Sequence, residues 1–154
     1  MQKVGIIVPG LYNHQLFFEA AQNAKYIDAN LDLVIFYEDL SPVSFRPPCA
    51  FMPTTEILNF NGLLISTTLN NTLLSIKAIN MAKKIFYIWD LEWIRHSKNY
   101  LHNISIYQNP EIQCITRSQE YANEINHYAN IKPQVSKLDI KDILSCVQQY
   151  QKKT

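Results

Sequence analysis

The sequence is poor in glycine and cysteine. Only three of its 154 residues are glycine, and neither G-x-G-x-x-G nor G-x-x-x-x-G-K-[ST] occurs. The signatures of dinucleotide-binding and P-loop proteins are therefore absent. The cysteines, Cys49, Cys114 and Cys146, form no C-x-x-C pair, which leaves a zinc site or a redox pair without support. We expect no metal site, and thiols that are reduced and mostly buried.

The sequence also lacks an excess of charge and a long apolar run. Its 14 basic and 13 acidic residues leave a net charge of +1, so no general attraction to nucleic acid is implied, although a local basic patch stays open. The start, "MQKVGIIVPG", predicts neither a signal peptide nor a membrane span. We expect one cytoplasmic domain over residues 1–154 that makes no contact with a membrane.

Short apolar segments alternate with segments of helical periodicity along the chain. The predicted strands are "KVGIIV", "LDLVIFY", "GLLIST", "KIFYIW" and "IQCIT", with a short further strand in "KPQVSKL". The segments between them repeat apolar residues at helical spacing, and Asn13, Ser118 and Asp139 are suited to cap helices. The alternation predicts an α/β fold, a single Rossmann-like domain with a mainly parallel open sheet of about five or six strands and helices on both faces.

One segment departs from this alternation because of its prolines. Residues 41–56 contain Pro42, Pro47, Pro48 and Pro53. Proline lacks the amide hydrogen that a helix interior or a central strand needs. We expect a long loop here, and loops of this length in compact domains are usually functional.

Ligands of open α/β sheets bind outside the carboxyl ends of the strands, so the residues that follow each strand are the candidate binding residues. After the first strand, Gly10 permits a tight turn, Tyr12 and His14 follow it, and the next helix start can hold an anion. An exposed polar loop is the alternative. Ser66, Thr67 and Thr68 offer hydroxyl groups after the third predicted strand. The alternative there is helix capping by Asn70 or Asn71. Arg117 and Ser118 follow the fifth predicted strand.

The fourth predicted strand ends in "WDLEW", which holds both tryptophans of the chain. A carboxylate that leaves a buried strand beside an aromatic ring loses solvation, which raises its pKa and suits a general base. Asp90 and Glu92 are the carboxylates, and Trp89 and Trp93 are suited to form an apolar wall on which a sugar or a base stacks. Alternatively, Asp90 caps the next turn and the tryptophans fill the core.

Three segments, "KVGIIVPG", "KIFYIWDLEW" and "IQCITRSQEYANEINHYANIKPQV", resemble the N-terminal, acceptor-side domain of GT-B glycosyltransferases, which are built from two Rossmann-like domains. The segment "FNGLLISTTLNNTLLSIKAINMAKKIFYIWDLEW" is also similar in layout to phage DNA β-glucosyltransferases. In that family an Asp at the end of this strand is the general base on the acceptor hydroxyl, and Asp90 is the matching position. The resemblance therefore implies a phage or bacterial protein with Asp90 as its catalytic residue.

The chain departs from these enzymes at its end. "SKLDIKDIL" replaces their Asn-Gly turn, and from this resemblance we expect the chain to lack a nucleotide-sugar domain. The resemblance thus implies an acceptor-side half that holds no cofactor itself. A nucleotide-sugar donor is expected only if a donor-domain protein or a homodimer supplies its site, because transfer needs donor and acceptor held together. The acceptor would be a nucleic acid, a glycan or a small molecule. A non-catalytic binding or regulatory module for a nucleotide, nucleic acid or protein remains the alternative.

Overall fold

The computed structural model describes residues 2–11, 15–26, 31–39, 47–78, 83–94 and 97–151. Tyr12, His14 and the predicted cap Asn13 lie outside these residues. The strands are β1 (Gln2–Gly10), β2 (Leu31–Asp39), β3 (Ala50–Pro53), β4 (Leu63–Ser66), β5 (Lys83–Ile88), β6 (Ile112–Thr116) and β7 (Gln134–Val135). The α-helices are α1 (Gln15–Gln22), α2 (Leu69–Lys77), α3 (Tyr100–Tyr107), α4 (Gln119–Ala129) and α5 (Ile140–Gln151).

The strands form one sheet in the order β3-β2-β1-β4-β5-β6-β7. Every neighbouring pair is parallel. The chain starts in the middle of the sheet, winds outward through β2 and β3, and returns to the other side of β1 with β4. This is the order of a Rossmann-like doubly wound fold, so the predicted fold class is confirmed. The sheet has one strand more than the upper end of the predicted range.

The additional strand lies in the proline-rich segment, where we predicted a loop. Ala50–Pro53 pairs with Val34–Tyr37 of β2, and a 3₁₀ helix follows at Thr54–Asn59. The loop prediction is therefore wrong for these residues. The prolines exclude only a central strand, and β3 is the outermost strand of the sheet. An edge strand needs hydrogen bonds on one side only, so it tolerates Pro53 at its end.

The first strand is longer than predicted. Pro9 and Gly10 were predicted to form a turn, but both belong to β1, and Gly10 pairs with Asp39 of β2. On its other side β1 pairs with β4, and this pairing ends at Ile6. The missing amide hydrogen of Pro9 therefore costs no bond to β4, and the pairing with β2 carries the strand onward.

Helices cover both faces of the sheet, as the sequence predicts. The core on one face joins Ile6, Ile35 and Ile85 of the sheet to α1 and α5. Two smaller clusters on the other face join sheet residues such as Phe86 to α2, α3, α4 and the 3₁₀ helix. Because both faces are buried, the central strands are continuously apolar rather than alternating.

The cysteines carry free thiols, as predicted. Cys114 is buried, while Cys49 and Cys146 are half-buried. Burial raises the pKa of Cys49 to about 11 and that of Cys114 to about 12, which keeps both as weakly reactive thiols at neutral pH. Over the described ranges, no helix is both long and apolar enough to span a bilayer.

Candidate functional site

The strand order changes direction between β1 and β4, and internal hydrogen bonds join the two strand ends there. The Thr67 hydroxyl donates to the Ile7 carbonyl of β1 at 2.6 Å. The Ser66 hydroxyl donates to the Ile85 carbonyl of β5 and lies 2.8 Å from the Thr72 hydroxyl. Both side chains are fully buried. The structure therefore places these two predicted binding residues inside the protein, where their hydroxyl groups connect three neighbouring strands.

The N-terminus of α2 is also capped from within the protein. Thr68 is its N-cap, and its hydroxyl accepts from the Asn71 amide at 3.2 Å. The alternative of capping by Asn70 or Asn71 is therefore wrong. The Leu69 amide donates to Oε1 of Glu92 at 3.0 Å. A carboxylate is the group that the positive end of a helix dipole favours, so Glu92 occupies the place an anionic ligand of α2 would take.

The segment "WDLEW" leaves the sheet after Ile88, and its side chains separate. Trp93 is buried between α3 and α4, and its ring packs edge-on against Tyr107 at 5.0 Å between centroids. Trp89 stays half-exposed at the end of β5. Trp89 lines a cleft. Trp93 belongs to the core, as the alternative reading of this segment has it.

Asp90 lies beside Trp89 at the same edge of the sheet. It is half-buried, and its Oδ1 accepts from the Leu91 amide at 2.8 Å. Glu92 lies two positions further on, and the strand has already ended before Asp90. Each carboxylate accepts from a different backbone amide, Asp90 from that of Leu91 and Glu92 from that of Leu69.

Arg117, just after β6, is exposed and contacts two aromatic rings. Its guanidinium carbon lies 4.8 Å from the centroid of the Trp89 ring and 5.0 Å from that of Tyr121, and Nη2 donates to the Tyr121 hydroxyl at 2.9 Å. The neighbouring Ser118 accepts from the Tyr121 amide, which confirms it as the cap of α4. The capped helix thus positions Tyr121 against Arg117, and cation–π attraction holds the guanidinium in place.

Trp89 and Arg117 line a cleft of about 430 Å³ at the carboxyl edge of the sheet. We call it the Arg117 cleft. Side chains from β5, β6, α1 and the segment between β7 and α5 form it: Glu19, Gln22, Tyr87, Trp89, Arg117, Lys137, Leu138 and Asp139. Its position outside the strand ends is the one that the fold predicts for a ligand.

Tyr87 forms the buried floor of this cleft, and its hydroxyl donates to the Ser136 carbonyl at 2.9 Å. Burial raises the pKa of Tyr87 well above its usual range. The Glu19 carboxylate raises the pKa further, whereas the Arg117 guanidinium lowers it. The cleft therefore contains a positive and a negative charge close to the same neutral hydroxyl.

Asn23, just after α1, holds in place the segment between β7 and α5, whose Leu138 lines the cleft. Its side-chain amide donates to the Leu138 carbonyl at 2.9 Å, and its oxygen accepts from the Ile140 amide at 2.8 Å. Asp139 caps α5 by accepting from the amides of Lys141 and Asp142, as predicted. These bonds determine where the segment between β7 and α5 runs, and with it the shape of the cleft.

The sequence did not indicate several residues of this site, among them Tyr87, Glu19, Tyr121 and Lys137. Tyr87 belongs to an apolar strand, and Glu19 belongs to a helix whose pattern predicts only its buried face. Tyr121 reads as a core position of α4, and Lys137 as a loop residue. Only the alternation of sides along β5 connects Tyr87 to Trp89, since residues two apart on a strand share a face.

A groove of about 320 Å³ lies at the opposite edge of the sheet, between the end of α3 and the residues before β7. It contains Cys114 and Lys132. In the described part of the chain no group of three or more His, Cys, Asp or Glu side chains is placed to hold a metal ion.

The chain matches no protein-family model, no curated protein and no solved structure.

Proposed function

We propose that this domain is a binding module for a small anionic ligand, which it holds in the Arg117 cleft. The observation that supports this most directly is the state of Arg117. Its guanidinium lies within 5.0 Å of the ring centroids of both Trp89 and Tyr121. Among the described residues the one ion pair is Lys84–Glu111, so Arg117 has no carboxylate partner there.

An arginine that contacts aromatic rings and has no carboxylate partner among the described residues is suited to recognise a carboxylate or a phosphate. A guanidinium has five N–H donors in a planar fork, and one of them donates to the Tyr121 hydroxyl. Both ring centroids lie within 5.0 Å of its central carbon, and its remaining N–H donors are available to a ligand because the side chain is exposed. A hydrogen bond to a charged group contributes about 1.5–3 kcal/mol, and the preorganised fork loses little side-chain entropy when the ligand binds.

The experiment is an NMR titration of the uniformly ¹⁵N-labelled protein with small carboxylates, sugar phosphates and nucleoside monophosphates. We expect a ligand to shift the indole signal of Trp89 and leave that of the buried Trp93 nearly unchanged. Arg117→Gln should weaken binding about tenfold or more, the loss of one charged hydrogen bond. Lys132→Gln, in the groove at the opposite edge, is the matched control. Equal binding by Arg117→Gln and wild type would contradict the proposal.

A second candidate is the acceptor-side half of a glycosyltransferase, with Asp90 as the general base. The observation in its favour is the position of Asp90, half-buried at the carboxyl edge beside Trp89. Trp89 is then the residue of the two tryptophans that shapes the acceptor pocket. A donor-domain protein or a second copy of the chain would supply the nucleotide-sugar site, and a nucleic acid or a glycan would be the acceptor.

This candidate is tested by incubating the protein with a panel of nucleotide-sugars and acceptors, with mass spectrometry as the readout. The expected result is transfer by wild type that Asp90→Asn abolishes. Asp32→Asn, at the amino end of β2, should leave transfer unchanged. If wild type neither binds nor hydrolyses any donor, even with the proteins encoded beside it added, the candidate is refuted.

A further inference from the structure

We infer that the ligand of the Arg117 cleft is a small zwitterion, whose anionic group pairs with Arg117 and whose ammonium group pairs with Glu19. This inference rests on the proposed binding function and narrows it to one class of ligand. It follows from the distribution of charge in the cleft, the partners that each charged group already has, and the apolar surface between them.

The first step concerns two opposite charges that share the cleft without pairing. Glu19 enters it from α1 and Arg117 from the end of β6. Glu19 accepts a hydrogen bond from the Gln15 side-chain amide at 3.3 Å, and within the described residues it forms no ion pair. A gap between fixed, opposite charges is complementary to a ligand that carries both charges.

Both charged side chains line the same cleft as Tyr87. The Glu19 carboxylate and the Arg117 guanidinium act in opposite directions on the pKa of the Tyr87 hydroxyl. That hydroxyl is buried and donates to the Ser136 carbonyl. Its single proton is therefore engaged, and a ligand that reaches it meets the charged side chains of Glu19 and Arg117, with the exposed Lys137 as a further cation of the cleft.

The other acidic group of the cleft already has partners. Oδ1 of Asp139 accepts from the Lys141 amide at 2.8 Å and from the Asp142 amide at 3.3 Å. It serves as the cap of α5 and faces the positive end of that helix. Glu19 is thus the carboxylate of the cleft that is suited to receive a ligand's ammonium group.

Apolar surface separates the two charged groups. Trp89 and Leu138 line the same cleft, and Leu138 is held in place by Asn23. The volume, about 430 Å³, is near the lower end of the range of small-molecule sites. These walls suit a short hydrocarbon chain between an ammonium group and a carboxylate or phosphate, so ω-amino acids are suitable probes.

The experiment is an NMR titration of the full chain with free glycine, β-alanine, γ-aminobutyrate and ε-aminocaproate, whose charges are progressively further apart. Butyrate, caproate and the N-acetyl derivatives are matched ligands without the ammonium charge, and phosphoethanolamine tests phosphate as the anion. We expect one zwitterion to bind about tenfold more tightly than the matched ligand that lacks the ammonium charge. This difference in affinity corresponds to one ion pair in a cleft.

Protein variants assign each end of the ligand. Glu19→Gln should remove the advantage of the zwitterion and leave the affinity for the plain carboxylate unchanged. Arg117→Gln should weaken both ligands. Glu124→Gln, an exposed carboxylate on α4, is the matched control and should change neither. The amide spectrum of each variant shows whether it is folded.

The outcomes separate the inference from the function on which it rests. If plain carboxylates bind through Arg117 as tightly as the zwitterions do, or if Glu19→Gln has no effect, the zwitterion inference is overturned and the binding function stands. If phosphoethanolamine binds tightest, the inference holds with phosphate as the anion. If no zwitterion and no anion of either panel shifts the Trp89 signal, both are overturned.

Discussion

At the residue scale, the hydroxyl groups after β4 are structural partners of neighbouring strands. The ladder between β1 and β4 ends at the pair Ile6 and Ile65. One residue further along β1, the Thr67 hydroxyl continues the connection by donating to the Ile7 carbonyl. The Thr67 hydroxyl therefore replaces the backbone amide that would donate the next hydrogen bond of the ladder. It leaves no room for a ligand between the two strands.

Replacing Thr67 with valine should show this. Valine has nearly the same shape but no hydroxyl group, so the buried bond to Ile7 is lost and a methyl group faces the carbonyl. We expect the free energy of unfolding to fall by about 1–3 kcal/mol, measured by urea denaturation. Thr55→Val, at an exposed position, should change it by less than about 0.5 kcal/mol. Equal stability of Thr67→Val and wild type would contradict the structural role.

At the scale of elements, Asn23 joins the end of α1 to the start of α5. Its side chain bonds to Leu138 and Ile140, more than a hundred residues away in the chain, and to the Glu19 carbonyl in its own helical segment. The two helices that cover one face of the sheet thus meet through one buried amide, next to the Arg117 cleft. Packing and site geometry depend on the same side chain.

Asn23→Ala removes these hydrogen bonds and leaves the Ile140 amide without its partner. We expect a loss of about 2–4 kcal/mol in the free energy of unfolding, roughly the sum of such bonds when buried, and weaker binding in the Arg117 cleft. Asn126→Ala, exposed on α4, is the matched control. Urea denaturation gives the stability, and the titration described above gives the affinity. An unchanged affinity would show that Asn23 does not position the wall of the cleft.

At the scale of the whole molecule, the buried ionisable side chains predict instability at alkaline pH. Burial is the largest cause of the raised pKa of Tyr107, and Glu92, Cys114 and Asp90 raise it further. The pKa of Tyr87 and those of Cys49, Cys114 and Cys146 are also raised. All of these groups are neutral when protonated, so the folded protein holds their protons more tightly than the unfolded chain does.

The sign of the pH dependence follows from this difference. Well below pH 9 both states are protonated at these groups and the stabilisation is complete. Above the ordinary values of 9.0 for cysteine and 10.0 for tyrosine, the unfolded chain releases protons first, so stability falls as pH rises. We expect the urea midpoint to be level from pH 7 to about 8.5 and to decrease steadily from about pH 9 to 11.

Tyr107→Phe separates one contribution to this decrease. The Tyr107 hydroxyl is buried and has no hydrogen-bond partner among the described residues, so its removal should leave stability at pH 7 unchanged or raise it by about 1 kcal/mol. Above pH 10 the variant should lose stability less steeply than wild type, by up to about 1.4 kcal/mol per pH unit. The exposed Tyr128→Phe is the control. Identical slopes for wild type and Tyr107→Phe would refute this account.

Much of the fold was predictable from the sequence because its signals are local. Continuous apolar runs predict strands buried on both faces, and Ser118 and Asp139 predict helix starts from their own residue type. The predictions fail where the structure of a residue depends on a neighbouring element. Proline excludes a central strand, but whether Ala50–Pro53 becomes an edge strand depends on the unpaired side of β2. Thr68 caps α2, although the asparagines that follow it are equally good capping residues.

The sequence by itself determined that the chain alternates strands and helices, that the sheet is parallel, and that the strand ends carry the polar side chains. These properties depend on the type and spacing of neighbouring residues. Only the tertiary structure decided that the two tryptophans separate, that Ser66, Thr67 and Glu92 bond within the protein, and that Arg117 meets Glu19 and Tyr87 in one cleft. Those contacts join residues far apart in the chain, and they exist only where the order of strands brings their ends together.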